Sequence, residues 1–206
     1  MFVKLASAAT IASVALTLAI PAAWGQEPPP PVRIRGTIEH AEDPAYVVKN
    51  RDGAEVKLVM AEKPSIAGIV KALLSDIKPG SFVGVTSMPQ PDGTHKAIEV
   101  HIFPEAMRGS GEGSYPWDLR PQSTMTNANV EQMVTAVNGH TLNLKYKGGE
   151  KAIFVPDDAV IVSYAVGDKD DLKPGAKVFV VAAKRPDGTL EARAWRVGRD
   201  GITPPM

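Results

Sequence analysis

Two histidines and a glutamate in one short segment could share a metal ion. His95, Glu99 and His101 stand at even spacing, so on a β-strand their side chains would project from one face. Imidazole and carboxylate groups are ordinary ligands of zinc and copper. A structural zinc site usually needs four ligands, however, and a catalytic one needs three plus water. A metal site at these residues is therefore one hypothesis, and a solvated strand face is the alternative.

A second group combines cations with an aromatic ring. Arg193, Trp195, Arg196 and Arg199 fall within one stretch that the alternation predicts to be the last strand. Guanidinium groups beside an indole are suited to binding an anionic ligand or surface. By the repeat described below, Trp195 and Arg193 are expected to face the interior of the protein. The alternative is that the strand leaves the protein body early and that Arg193 extends its charge into water.

Two more aromatic residues stand in a segment rich in glycine and proline. Tyr115 and Trp117 lie in residues 104–126, whose composition otherwise resembles a linker. Aromatic side chains are normally buried against something, and long loops in a compact protein are often functional. We expect Trp117 either to fill the interface between the flanking modules or to cover a ligand. The candidate ligand-binding residues are Tyr115, Trp117, Arg193, Trp195 and Arg196.

Other site chemistries find little support in the sequence. The glycine-rich run at residues 108–113 lacks the Gly-Lys-Ser/Thr ending of a phosphate-binding loop. The acidic clusters at residues 157–158 and 168–171 lack the spacing of a calcium loop. No serine stands in a Gly-x-Ser-x-Gly turn, and the absence of cysteine removes thiol catalysis and thiolate metal sites. We expect no cofactor and no enzymatic activity. An enzyme acting on envelope polysaccharide stays open as an alternative, and it would need two carboxyl groups in a cleft.

The elements that must position these residues come as two copies of one pattern. The motif Asp-x-Lys-Pro-Gly occurs at residues 76–80 and 171–175, and Pro-Asp-Gly-Thr occurs at 91–94 and 186–189. Both motifs recur at the same offset of 95 residues. Two unrelated turn motifs that keep one offset indicate a duplicated module.

Each copy is predicted to consist of short strands joined by tight turns. Module one spans residues 32–103, with a helix predicted at residues 66–77 from apolar residues at helical spacing after a Pro-Ser start. Module two spans residues 127–198, where alternation at residues 160–166 predicts an extra strand in place of that helix. A connector, residues 104–126, joins the two modules.

This order of elements predicts an all-β protein with one short helix, built from tandem duplicated small β-barrels. The short strands and tight turns are typical of barrels of the oligonucleotide/oligosaccharide-binding (OB) type. Closing a sheet removes its exposed strand edges, which matters for a chain without disulfides. The alternative is a pair of small open sheets packed face to face.

The first 25 residues have the pattern of a secretory signal peptide. Lys4 precedes a mostly apolar run, and Ala23 and Gly25 suit cleavage before Gln26. The alternative is an uncleaved anchor, although the run is near the lower length limit for a span. We expect a periplasmic protein with no membrane span in the mature chain. The whole sequence has 23 Lys+Arg against 23 Asp+Glu, a balance that argues against a general nucleic-acid binder.

Several motifs also carry a resemblance to a known group. They lie at residues 78–85, 101–109, 116–119, 123–128, 197–201 and 203–206. Through them the chain resembles the uncharacterised exported proteins of alphaproteobacteria, which are related to a widespread periplasmic domain of unknown function with an OB-like barrel. The resemblance covers nearly all of the chain after the predicted signal.

This resemblance implies an OB-like fold and export, but it brings no established activity. Members of the group are often labelled metal-transporter permeases, yet a permease needs several membrane spans. Where the group often has a histidine after the glycine run, this chain has Ser114 and Tyr115, which weakens a metal role for the loop. We predict a non-catalytic binding or scaffolding protein of the cell envelope, with an unknown envelope ligand or protein as its partner. The alternative is a metal-handling accessory of a transport system.

Overall fold

The computed structural model describes residues 29–206, which are largely β-structure. The strands are β1 (Val32–Glu42), β2 (Ala45–Asn50), β3 (Glu55–Lys71), β4 (Phe82–Pro89), β5 (His95–Ile102), β6 (Gly113–Pro116), β7 (Thr124–Ala136), β8 (Gly139–Tyr146), β9 (Gly149–Pro156), β10 (Val160–Val166), β11 (Lys177–Lys184) and β12 (Leu190–Gly198). Short 3-10 turns at Leu74–Asp76, Glu105–Met107 and Lys169–Asp171 are the only helical segments in this part of the chain. The prediction of an all-β fold with a small closed barrel is confirmed.

The helix predicted at residues 66–77 is wrong. β3 continues as a strand to Lys71, and only the 3-10 turn at Leu74–Asp76 follows it. The segment is rich in β-branched residues, which fit a pleated surface, and it finds strand partners on both edges, β10 on one and β12 on the other. A short apolar run fits the helical period and the strand period about equally well. Strand partners on both edges therefore decide in favour of a strand.

The first barrel joins strands from the two ends of the described chain. β1 pairs antiparallel with β2 and β11, β2 pairs with β3, and β11 pairs with β12. A parallel pairing between β12 and β3 closes the ring. We call these five strands barrel one. Its core surrounds the fully buried Trp195.

The middle of the chain forms a second ring with the same plan. β7 pairs antiparallel with β4 and β8, β8 pairs with β9, and β4 pairs with β5. A parallel contact between Lys96 of β5 and Phe154 of β9 closes it. We call this ring barrel two. Its core is aliphatic, with Leu142, Leu144 and Ile153 among its buried members.

Each barrel combines strands from both sequence repeats, which differs from the expectation of one barrel per module at residues 32–103 and 127–198. The hairpin β4–β5 of module one completes barrel two, and the hairpin β11–β12 of module two completes barrel one. The two rings meet at β3, because residues 67–69 pair parallel with β12 of barrel one on one edge and antiparallel with β10 on the other. β10 in turn runs parallel to β5, so β3 and β10 bridge the two rings.

The strand register shows that the two barrels are copies of one arrangement. Trp195 pairs with Ile66 across β12 and β3, and Val100 pairs with Ile161 across β5 and β10. Trp195 stands 95 residues after Val100, and Ile161 stands 95 residues after Ile66, so the two pairs occupy equivalent positions. β10 is therefore the counterpart of the last part of β3, and the extra strand predicted at residues 160–166 is present in both copies.

A third apolar cluster lies between the barrels. Ile69, Val162, Phe179 and Met206 form it, with Trp117 and Tyr164 packed against them. The predicted signal peptide at residues 1–25 lies outside the described residues. Within residues 29–206, no helix has the length and apolar character needed to cross a bilayer.

Candidate functional site

A cleft of about 290 Å³ opens between the two barrels. Its aromatic lining comes from β11 of barrel one, from β10, from the residue after β5 and from the connector: Phe179, Tyr164, Phe103, Tyr115 and Trp117. Its polar lining includes His101, Asn127, Ser110 and Arg196, and no carboxylate of residues 29–206 lines it. We call this the inter-barrel cleft. Its location follows from the exchange of hairpins, which brings β5, β10 and β12 to one place.

The aromatic walls are held in contact with one another. The rings of Phe103 and Tyr164 stack with centroids 5.2 Å apart, and Tyr115 meets Trp117 edge-on at 6.1 Å. Trp117 also lies 6.3 Å from the ring of Phe179 on β11. Rings at these separations stabilise one another and give the cleft a rigid apolar surface.

The connector is structured because it pairs with barrel two. β6 pairs antiparallel with the first part of β7, which places Tyr115 opposite Met125. The backbone N–H of Trp117 then donates to the carbonyl of Ser123 at 2.8 Å. From barrel one, the guanidinium of Arg33 lies 4.2 Å from the Trp117 ring centroid. Trp117 is half-buried, so it both closes the space between the barrels and forms one wall of the cleft.

Asp118 fixes the end of this connector against barrel one. Arg35 donates to the Asp118 carboxylate at 2.7 Å and, through Nε, to the backbone oxygen of Met206 at 2.6 Å. Burial raises the pKa of Asp118, but the hydrogen bond and charge of Arg35 and the charge of Arg33 outweigh it, so that this pKa lies below its ordinary value.

Arg196 is the cation of the cleft. Its guanidinium carbon lies 5.2 Å from the centroid of the Tyr164 ring, and Nη1 donates to its neighbour's carbonyl at Trp195 at 3.1 Å. Within residues 29–206, no carboxylate lies within 4.0 Å of this guanidinium. Burial raises the pKa of the Tyr164 phenol, with the nearby Arg196 opposing that rise. Tyr164 is thus a neutral ring beneath an unpaired positive charge.

A buried carboxylate supports the histidine of the cleft from behind. Glu99 is 1 % exposed, accepts a 2.5 Å hydrogen bond from Thr86 Oγ1, and lies 3.3 Å from Nδ1 of His101. The imidazole packs edge-on against Phe103 at 4.8 Å. On its other side stands Gly84, where a Cβ atom would collide with the ring. Position 84 therefore requires glycine if His101 is to keep this orientation.

Two polar atoms of the cleft residues have no partner among the described residues. They are Oδ1 of Asn127 and Nε1 of Trp117, and both are buried. The amide nitrogen of Asn127 is engaged, donating to the carbonyl of Ser110 at 3.1 Å and to the Tyr115 hydroxyl at 3.2 Å. Burial also raises the pKa of Tyr115. Asn127 and Trp117 both line the cleft, so its lining includes one acceptor and one donor that have no partner among residues 29–206.

The structure separates His95 from the other two predicted metal ligands, Glu99 and His101. A β-bulge in β5 opposite Thr86 and Ser87 displaces Ile98 and reverses the alternation of faces along the strand. Glu99 and His101 therefore face away from the core of barrel two, whereas His95 lies on the same face as the core residue Ala97. Four residues of extended strand also separate His95 from Glu99, about 13 Å. No group of three metal-ligating side chains occurs in the described part of the chain.

The same bulge in the second copy explains where the basic group lies. In β12 the bulged residue is Arg193, which is exposed and lies 3.5 Å from Glu191, contrary to the expected inward position. Trp195 is fully buried in barrel one, 5.1 Å from the Tyr46 ring, where a ligand cannot reach it. Arg199 instead pairs with Asp171 at 2.8 Å. Of this predicted group, only Arg196 lines the cleft.

The cleft thus unites four residues singled out from sequence, namely Tyr115, Trp117, His101 and Arg196. Sequence reasoning missed Phe103, Asn127, Tyr164 and Phe179. The repeat held one usable signal, since His101 and Arg196 occupy equivalent positions 95 residues apart and so flank one local symmetry axis. Comparison with protein-family models, with curated proteins and with solved structures found no match.

Proposed function

We propose that this chain is an exported, non-catalytic binding protein of the cell envelope that holds a small ligand in the inter-barrel cleft. The observation that carries this proposal is the union of aromatic walls from both barrels with one unpaired cation, Arg196. Pockets that bind small molecules are typically concave and largely apolar, with a few polar groups that fix orientation.

The lining favours a ligand with a flat apolar body and one anionic group. Flat rings stack on tyrosine and tryptophan faces, and a carboxylate or sulfonate would give Arg196 the charge-assisted partner that it lacks among the described residues. At about 290 Å³ the cleft is at the small end of ligand pockets. We therefore expect it to enclose one ring and its substituent and to leave the rest of a larger ligand in solvent.

Among the described residues, no carboxylate lines the cleft, which favours a binding role over a hydrolytic one. A glycosidase needs two carboxyl groups on either side of the bond that it cleaves. Glu99, which stands behind His101, is 1 % exposed and is engaged by Thr86. The metal-handling alternative gains no support, because Glu99 and His101 alone provide too few ligands.

A direct test is titration of the mature protein with 2-naphthoate, a flat aromatic carboxylate, followed by calorimetry and by tryptophan fluorescence. We expect saturable binding that weakens by about tenfold or more in Arg196→Met, since a charge-assisted hydrogen bond contributes roughly 1.5–3 kcal/mol. Arg193→Met is the matched control, because Arg193 lies on the same strand but is exposed outside the cleft. Equal affinity in all three proteins would contradict the proposal.

A further inference from the structure

The two barrels differ systematically at one end. Five positions there are equivalent by strand register, and the pairs are Val32 and Thr124, Ile34 and Thr126, Val56 and Lys151, Ala182 and Ser87, and Leu190 and His95. The first member of each pair belongs to barrel one and is apolar. The second belongs to barrel two and is polar. A shared backbone arrangement therefore carries an apolar end in one copy and a polar end in the other.

The apolar end is an ordinary continuation of a core. Ile34 and Ala182 are buried in barrel one, and Val32, Val56 and Leu190 are partly buried against the same cluster. In barrel two, Thr126 and Ser87 are fully buried, while Thr124, Lys151 and His95 are half-buried. Barrel two buries polar groups at positions where barrel one buries methyl groups. This lowers the stability of the fold unless the polar groups gain hydrogen-bond partners. Such a replacement of a whole layer points to a function at this end.

The polar side chains are linked to one another by hydroxyl contacts. Ser87 Oγ lies 3.2 Å from Thr124 Oγ1, and Ser114 Oγ of β6 lies 3.0 Å from Thr126 Oγ1. Ser114 has no counterpart in barrel one, because β6 belongs to the connector. Two of these four hydroxyl groups, those of Ser114 and Thr124, lie beside the end of the Lys151 side chain, which comes from β9.

The ammonium group of Lys151 is poorly satisfied there. Nζ lies 3.4 Å from Ser114 Oγ and 3.4 Å from Thr124 Oγ1, both longer than an ordinary hydrogen bond. Within residues 29–206, no carboxylate lies within 4.0 Å of it. A half-buried cation in contact only with neutral hydroxyl groups has lost water without gaining a counter-charge.

The nearby histidine adds a second unsatisfied group. Nδ1 of His95 is buried and has no partner among the described residues. Burial lowers the pKa of His95, and the charge of Lys151 lowers it further. Burial also lowers the pKa of Lys151 itself. Both shifts are those expected of basic groups crowded together at a partly dry site that is missing a negative charge.

We propose that this end of barrel two is a binding site for a small oxyanion, such as a phosphate or a carboxylate. Lys151 supplies the charge, Ser114 and Thr124 supply hydroxyl donors, and His95 adds a further donor at the edge. The anion provides the counter-charge that the ammonium lacks and accepts hydrogen bonds from the surrounding hydroxyl groups. The site is separate from the inter-barrel cleft, and none of its residues lines that cleft.

Inorganic phosphate and acetate, titrated separately into the mature protein, test this site. The readout is the Cε1–Hε1 NMR signals of the histidines, of which the sequence has four: His40, His95, His101 and His140. We expect a saturable shift of the His95 signal with at least one anion, while the His40 signal stays in place. The pKa of His95 should rise on binding, because the anion stabilises the imidazolium. The relative affinities of the two anions then tell whether the site prefers a tetrahedral or a planar oxyanion.

Lys151→Val is the deciding variant, since Val56 fills the equivalent position in barrel one and shows that the backbone accepts valine there. We expect it to fold and to weaken anion binding about tenfold or more. Lys145→Met is the control, because Lys145 is an exposed lysine of β8 that pairs with Glu131 at 3.1 Å. Should the variant fail to fold, anion-dependent thermal stabilisation of the wild-type protein gives an independent measure. A His95 signal that does not move, or that moves linearly with ionic strength, overturns the proposal and leaves a solvated polar end.

Discussion

Ile69 and Tyr164 face each other across the antiparallel contact of β3 and β10, and they stand 95 residues apart in the chain. Because 95 is the offset of the sequence repeat, the pair joins two equivalent positions and lies on a local two-fold axis. Ile69 is fully buried, and Tyr164 forms a wall of the cleft. The axis that relates the two copies therefore passes beside the candidate ligand site.

The exchange of hairpins across this axis predicts that the barrels unfold together. Leu58→Ala in the core of barrel one should destabilise the protein by about 2–5 kcal/mol. Amide protons of β8, in barrel two, should lose protection by the same amount, because barrel two contains a hairpin that is anchored through barrel one. Hydrogen exchange followed by NMR measures both effects. Val137→Ala, at a position 85 % exposed, is the control; protection of β8 that stays unchanged in Leu58→Ala would show that the barrels are independent.

Much of this architecture could be predicted from the sequence. The duplicated turn motifs gave the repeat, and alternation gave most strands, because side chains two apart along a strand share a face. The exchange could not be predicted, since both copies offer equivalent partners and a hairpin of one fits the barrel of the other equally well. The helix prediction failed for a related reason. Whether the apolar run at residues 66–71 forms a helix or a strand is decided by strand partners that are distant in sequence.

The lining of the candidate site could be predicted only in part. Tyr115 and Trp117 were identifiable because aromatic residues are unusual in a segment of linker composition. The positions of Arg193 and His95 were not, because a single bulged residue in each of β12 and β5 reverses the faces of the residues beyond it. Alternation read along one strand cannot reveal a bulge, which is defined by the register against its neighbour.

The buried Glu99 has two polar partners, the hydroxyl group of Thr86 and the imidazole of His101. In barrel one the equivalents of Thr86 and Glu99 are Val181 and Ala194, which also face each other. We expect Thr86→Val to cost about 1–3 kcal/mol, because the carboxylate loses the hydroxyl donor on one of its oxygens while remaining buried. In a Glu99→Ala background the same change should cost little. A double-mutant cycle by urea denaturation measures this coupling, and equal costs in both backgrounds would contradict it.

Gly84 keeps His101 in place by leaving room for its ring. Gly84→Ala would bring a Cβ atom into collision with the imidazole and within 2.6 Å of Asn127 Oδ1. We expect a loss of about 1–3 kcal/mol from overpacking, together with weaker binding of 2-naphthoate. His101→Ala supplies the matched background, where the collision with the imidazole is gone and the close contact with Asn127 Oδ1 remains, so the stability loss should shrink without vanishing. If Gly84→Ala lowered the stability equally in the wild-type and His101→Ala proteins, the His101 ring would not be the group with which the new methyl group collides.

The ion pair of Asp118 with Arg35 should make stability depend on pH in the acid range. The pKa of Asp118 is lowered in the folded protein, so its contribution is present above the unfolded value of about 3.9 and is lost as the pH falls through the lower folded value. We expect Asp118→Asn to lower stability at neutral pH by no more than about 1 kcal/mol, since the carboxylate is 46 % exposed. The difference from wild type should vanish at acid pH. Asp52→Asn, at an exposed turn, is the control for the change in net charge. If Asp118→Asn remained less stable than the wild type at acid pH, the loss would come from the packing of asparagine and not from the lost ion pair.

The two tryptophans that follow the predicted signal should respond differently to replacement. Trp195 is fully buried against Tyr46, so Trp195→Ala should cost about 3–5 kcal/mol. Trp117 is half-buried, and we expect Trp117→Ala to cost clearly less while abolishing 2-naphthoate binding. Acrylamide should quench Trp117 fluorescence in Trp195→Phe far more than it quenches Trp195 fluorescence in Trp117→Phe, and 2-naphthoate should protect Trp117. A Trp117→Ala protein that is unfolded would make Trp117 a core residue, and the proposed ligand site would then lose the wall on which it depends.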